Sequence, residues 1–319
     1  MDDDERKAAL ITDPVMLSHD TGGGEHPETP QRLTAIRKRM EKLREVSPQR
    51  ADWKRVLEAH EEPYLLRFEE AALSGRPSLD HSDNRLSYET FEASFTAAGA
   101  GISGVDLLES GAARFPFCAV RPPGHHAEKD RAMGFCFLNN SVIAARYWRR
   151  EYGRRKILVF DFDAHHGNGI QQAFEEEAEV LYVSFHEHPT FSYPGSGFAE
   201  DRGKGPGEGA TVNIPLPPGA GDSVFQSRLR EVAEPAVESF RPEAIVVSAG
   251  FDGHVKDDMS GLAYGRSLFR GLGETVSRWS RDYCGGRVLS ILEGGYHCEA
   301  LGESVEAYIE GMASPRGGV

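Results

Sequence analysis

Five short apolar runs, each giving way to a polar and mostly glycine-rich motif, narrow the fold of this chain to one class. Residues 117–120 lead into Arg121-Pro122-Pro123-Gly124-His125-His126, and residues 157–160 into Asp161-Phe162-Asp163-Ala164-His165-His166-Gly167-Asn168-Gly169. Residues 180–184 lead into Phe185-His186-Glu187-His188, residues 244–248 into Ala249-Gly250-Phe251-Asp252-Gly253-His254, and residues 288–292 into Glu293-Gly294-Gly295-Tyr296. Runs of this length, bounded by turn residues, read as buried strands. Helical segments fill the gaps, for example residues 141–152 and 223–239. Alternating strand and helix implies an α/β fold with a central, mostly parallel sheet flanked by helices. Ligands of such sheets bind beyond the carboxyl ends of the strands, where the polar motifs lie here.

No tandem repeat or linker divides the 319 residues, so residues 1–319 read as one domain with residues 1–10 frayed. Gly22-Gly23-Gly24 reads as a loop. A helix then begins with Thr29 as N-cap and Pro30 in its first turn, and carries an apolar stripe of Leu33, Ile36, Met40, Leu43 and Val46. Residues 89–110, rich in Ala and Gly, read as a closely packed helix. Residues 193–221 turn to Gly and Pro and read as a long surface loop, where binding residues often sit.

The balance of 36 basic against 50 acidic residues, a net charge of -14, argues against broad nucleic-acid binding. It leaves room for attraction of a cationic substrate. The acidic start, Met1-Asp2-Asp3-Asp4-Glu5, has no secretory signal, and no apolar run reaches the ~20 residues that span a bilayer. Cys118, Cys136, Cys284 and Cys298 form no C-x-x-C pair and read as reduced thiols. The expectation is a cytoplasmic protein without nucleic-acid or membrane partners, with a homo-oligomer left open.

Asp161, Asp163, His165 and His166 crowd one strand exit. Burying so many ionisable groups is costly unless they are paired or a cation sits among them. Asp163 and His165, two apart on an extended segment, can point to one side, and Asp252 would arrive from another strand end. Three protein ligands leave positions for water and substrate, as in a catalytic zinc site. The competing reading is a salt-bridge network or a calcium site, which an imidazole ligand disfavours. His125 and His126 share a Pro-Pro-Gly turn. One imidazole there could take a proton from an attacking water and deliver it to a leaving amine, and the other could be held by Asp161. Tyr296 could donate a hydrogen bond to a carbonyl oxygen as charge develops on it. Gly294 and Gly295 would let the backbone approach a ligand. His19, His26, His60 and His81 lack such surroundings and read as structural.

Taken together, the motifs resemble the histone deacetylase superfamily, including its bacterial deacetylase-like amidohydrolases and acetylpolyamine amidohydrolases. The likeness covers His26-Pro27-Glu28-Thr29-Pro30-Gln31-Arg32-Leu33, residues 121–126, residues 134–140, residues 161–171, Tyr193-Pro194-Gly195-Ser196-Gly197, residues 248–253 and residues 293–296. It implies a single arginase-like α/β domain with its active site at the strand ends. It implies one Zn2+ held by Asp163, His165 and Asp252, with His125 and His126 as tandem histidines, His126 being the general base and acid. Tyr296 would polarise the scissile amide. Asp161, Ser184 and the main chain of Phe185 match a structural potassium site, and the main chain of Phe174 a second monovalent-cation site. Phe135 and Tyr193 resemble the walls of an acyl-lysine tunnel, with Gly134, Met259, Gly294 and Gly295 beside them. Arg32 matches an inner-channel arginine that handles acetate.

Three departures stand out. Asn168 replaces an Asp that one branch pairs with the second histidine, which should change the basicity of His126. Tyr193 replaces the usual Phe and adds a hydroxyl at the rim. Met259 occupies the place of a glutamate that marks a polyamine-selective branch, and it offers no charge to a distal ammonium. The resemblance thus implies hydrolysis of acetyl-lysine in proteins or peptides, or of a small acylated amine, with acetylpolyamines as the alternative. A two-manganese ureohydrolase would want a carboxylate at Gly167 and an acid at His254. A silent acyl-ligand binder would be marked by loss of a metal ligand or of the tyrosine, and this chain keeps all of them.

Overall fold

In the computed structural model, which describes residues 8–23 and 26–314, eight strands form one parallel sheet. They are β1 (Ala8–Ile11), β2 (Arg44–Val46), β3 (Phe115–Cys118), β4 (Ile157–Asp161), β5 (Val180–Glu187), β6 (Thr211–Leu216), β7 (Ala244–Ala249) and β8 (Val288–Leu292). Their order is β2-β1-β3-β8-β7-β4-β5-β6. Every residue of β4, β5, β7 and β8 is buried, as expected of strands covered on both faces.

The two covered faces can be read from β8. Leu289 and Ile291 point at the helix Thr90–Glu109, which approaches closely because Gly104 and Gly101 lack side chains; a Cβ on Gly104 would lie 2.3 Å from Leu289 Cδ1. Ser290, between them, points the other way, and its Oγ lies 2.9 Å from the hydroxyl of Tyr308 on the helix Cys298–Ala313. That helix pairs with Arg266–Cys284 through Gly273 and Gly311.

The chain crosses from β3 to β4 over a gap that β7 and β8 later fill. At this reversal the strands end level: Asp161 of β4 stands in register with Ser184 of β5 and with Ser248 of β7. Loops leaving β3, β4, β7 and β8 therefore share one crevice, as open α/β sheets provide at such points.

Several local expectations are corrected. Of the residues expected to fray, 1–7 lie outside the described ones, and 8–10 belong to the buried strand β1. Thr29 does not cap the first helix; the helix is Gln31–Arg39, Pro30 stands at its N-cap, and no side chain bonds there. Met40 ends that helix and Val46 belongs to β2, so the apolar stripe is shorter than its spacing suggested. The surface loop 193–221 contains β6. Residues 223–239 are not one regular helix: Asp222–Arg228 passes through a wide π turn, Leu229–Ala233, into Glu234–Phe240. Pro235 has no N–H to continue an α-helical ladder there.

Candidate active site

Asp163 and His165 follow β4, and Asp252 follows β7. One ligand atom from each lies within 4.8 Å of the others. His165 Nε2 is 3.1 Å from the Met259 main-chain oxygen, so Nε2 donates there and the Nδ1 lone pair faces inward. Nδ1 lies 2.9 Å from Asp252 Oδ2 and 3.2 Å from Asp163 Oδ1. Three lone-pair donors thus converge on one buried point. A divalent cation satisfies all of them at once, and the mix of imidazole and carboxylate suits a metal such as zinc.

Main-chain donors hold the carboxylates in this arrangement. Gly294 N donates to Asp163 Oδ2 at 2.7 Å, and Ala164 N to Asp252 Oδ1 at 2.9 Å. The strand ends must be bare to come this close: a Cβ on Gly250 would lie 2.0 Å from Asp163 Oδ2, and one on Gly294 2.3 Å from Asp252 Oδ2.

The tandem histidines follow β3. His125 Nδ1 is 3.2 Å from Asp161 Oδ2, and His126 Nδ1 is 2.8 Å from Asn168 Oδ1. Glu293, at the end of β8, fixes their turn by accepting from Gly124 N at 2.7 Å and His125 N at 3.0 Å. Burial pushes the His126 imidazole well below its usual value. His126 is therefore neutral and able to accept a proton. Burial likewise pushes the Tyr296 phenol well above its usual value, so it remains a hydrogen-bond donor near neutrality.

The Tyr296 ring lies 4.8 Å from the Arg32 guanidinium carbon and edge-on to Phe135 at 5.9 Å. Arg32 is fully buried; its Nε donates to Gly295 O at 2.6 Å and its other nitrogens to Glu28 and Glu293 O. Asp257 Oδ2 takes the main-chain N–H of Tyr296 at 2.6 Å and of His297 at 3.0 Å. Tyr193 stands edge-on to His126, with centroids 5.0 Å apart. Gly134 sits between these rings at φ 53°, where a Cβ would lie 2.3 Å from His126 Cδ2 and 3.0 Å from Tyr193 Cε1. Phe135 and Met259 line an opening of about 810 Å³ with Gly22, Gly23 and His26. His26, read as structural from the sequence, thus stands at this opening, whereas His19 and His60 are buried.

Farther in, Asp161 Oδ2 accepts from Tyr182 OH at 3.1 Å, and Ser184 Oγ lies 2.8 Å from His186 Nδ1. Phe174 ends the helix Asn168–Phe174. The sequence reading gave no role to Asp257, Glu128 or the Glu293 carboxylate. Glu293 adjoined a recognised motif, but Asp257 and Glu128 act on groups distant in the chain.

The histone deacetylase domain matches residues 26–312. The chain is 37% identical over 303 residues to the chloroplastic histone deacetylase 14 of Arabidopsis thaliana, covering 88% of this chain and 71% of that one. It is 35% identical to the human polyamine deacetylase HDAC10 over 87% of this chain, but only 43% of the longer human protein. The crystal structure of the HDA15 HD domain superposes with a TM-score of 0.89 at 30% identity, covering 96% of this chain and 88% of that one. The chain belongs to the histone deacetylase family. It is accordingly a hydrolase of the deacetylase type, on the family's α/β fold.

Proposed function

We propose that the protein is a zinc-dependent deacylase that hydrolyses acetyl-lysine in proteins or peptides. The convergence of Asp163, His165 and Asp252 on one point beside His126 carries this reading. When bound there, zinc supplies Lewis acidity to the amide carbonyl and to the attacking water. His126 accepts the proton that water loses as its oxygen joins the carbonyl carbon. Tyr296 donates its hydroxyl hydrogen bond to the carbonyl oxygen while negative charge builds there. As the C–N bond breaks, His126 returns the proton to the amine nitrogen, leaving acetate and free amine. His125, held by Asp161, fixes the turn that aims His126. Arg32 commits three N–H groups to Glu28, Glu293 and Gly295 and has two more for departing acetate.

Phe135, Tyr193 and Met259 form the tunnel mouth, beside Gly134, Gly294 and Gly295. The apolar Met259 favours an acyl-lysine side chain over a polyamine with a distal ammonium. Acetylpolyamines are the second reading, supported by the likeness to a protein named for that activity. Amine release by the zinc-loaded protein from acetyl-lysine peptides, acetylpolyamines and longer acyl-lysines tests both. Fastest release from acetyl-lysine peptides is expected; faster release from acetylpolyamines would transfer the assignment, and no release from any would remove it.

Asp161, Ser184 and the main chain of Phe185, on adjacent strands in register, support a structural potassium site, with Phe174 at a second one. A rise in melting temperature with potassium but not with lithium would test this. All four cysteines are free thiols, which supports a reducing, cytoplasmic setting testable by cell fractionation. Among the described residues no helix is long and apolar enough to cross a membrane.

A further inference from the structure

We propose that Glu128 is a positioning residue that decides which nitrogen of His126 carries its proton, acting through Asn168. The inference rests on His126 being the general base. Asn168 has a side-chain amide whose two ends are alike in shape and opposite in hydrogen-bonding chemistry. Its Nδ2 donates to Glu128 Oε1 at 2.8 Å and to the His126 main-chain oxygen at 3.3 Å. Its Oδ1 lies 2.8 Å from His126 Nδ1.

A carboxylate only accepts. Turning the amide over would set Asn168 Oδ1 against Glu128 Oε1 and against the His126 carbonyl, an arrangement of facing acceptors without a proton between them. Glu128 therefore commits Nδ2 outward and Oδ1 toward the imidazole. That oxygen can be met only by an N–H at His126 Nδ1, so the lone pair falls on Nε2. The proton-accepting nitrogen is thus chosen at Glu128, two hydrogen bonds away.

Glu128 is itself held. Its Oε2 accepts from Arg131 at 2.7 Å, its main-chain N–H donates to Arg131 O at 2.9 Å, and its side chain is only 14% exposed. An Asp at position 168 would impose the same tautomer with its own charge. Here a neutral amide faces the histidine and the charge stands one hydrogen bond farther out.

The test compares 15N NMR of the His126 imidazole in the zinc-loaded native protein and in Glu128→Ala, together with kcat and KM for both, alone and in an Asn168→Ala background. The native protein should show the proton on Nδ1. Glu128→Ala should show a mixture of tautomers, with kcat down roughly 10-fold and KM changed less than about twofold. In the Asn168→Ala background the same change should cost almost nothing further. An unaltered tautomer in Glu128→Ala, or an equal loss in both backgrounds, would overturn the proposal. If the native protein released no amine from any acylated substrate, the activity reading would fail, while the tautomer comparison would still support or overturn the relay.

Discussion

Tyr296 is placed by contacts at both ends of the residue: Asp257 holds its main-chain N–H, and Arg32 and Phe135 hold its ring. Replacing Tyr296 with Phe keeps those contacts and removes the hydroxyl alone. We expect kcat to fall by roughly 100- to 1,000-fold, with KM and bound metal little changed. Steady-state kinetics with metal analysis would check this, and an unchanged kcat would take Tyr296 out of the mechanism. Asp257→Ala tests the clamp, because it leaves the N–H groups of Tyr296 and His297 without their acceptor. We expect a loss of about 10-fold in kcat in the native background and much less beside Tyr296→Phe; equal losses would make Asp257 a general structural residue. At this scale the sequence singles out groups gathered in one motif, such as Asp161, Asp163 and His165, whereas a tyrosine after two glycines reads equally as a core residue until the other motifs stand beside it. The sequence does not disclose Asp257 or Glu128, whose partners are main-chain and amide groups brought near only by the fold.

Among whole elements, glycines set how closely helices and strand ends approach. Gly104 and Gly250 separate two consequences of adding one methyl group. Gly104→Ala would press on Leu289 across the sheet face, and we expect about 1–3 kcal/mol of lost stability by denaturant unfolding, with metal affinity retained. Gly250→Ala would press on Asp163 and should lower metal affinity before it lowers stability, as calorimetric zinc titration would show. Unaltered zinc affinity in Gly250→Ala would mean that Asp163 can move without loss to the site. The central strands were legible because burial on both faces makes them continuously apolar. The outer strands were not: β2 is Arg44-Glu45-Val46, largely exposed, and β6 carries Asn213 and Pro215 at the sheet edge, where a missing N–H is tolerated. β1 hid behind the charged residues that precede it. The polar motifs at the strand ends are plain in the sequence, but the strand order that brings β4, β7 and β8 together depends on pairing between distant segments.

The molecule as a whole joins its site to a buried polar layer that titrates. His60 is 3% exposed, and its Nε2 accepts from Asn139 N at 2.9 Å. Asn139 in turn caps the helix Asn140–Tyr152 through Val142 N and donates to Ala127 O, next to the tandem histidines. Burial lowers the His60 pKa to about 4, well under its value in an unfolded chain. Between those two values the unfolded chain binds the extra proton and the folded one does not. The stabilisation is therefore complete above pH ~6.5 and drains away as the pH falls through about 4, amounting to roughly 3 kcal/mol at most. His19, whose pKa burial also lowers to about 4 despite the nearby Glu28 carboxylate, adds to the same slope. Burial would raise Glu28 itself, but the Arg121 and Arg32 guanidiniums outweigh it and bring its carboxyl to about 2, so its contribution is lost only lower, between about 4.5 and 2. His60→Gln keeps an acceptor oxygen for Asn139 and cannot gain the proton. Chemical denaturation at several pH values from 7 down to 4 should show the native protein losing more stability than His60→Gln over that window. Parallel curves would mean that His60 is already solvated in the folded state, and that the layer linking it to the His125–His126 turn is looser than its hydrogen bonds indicate.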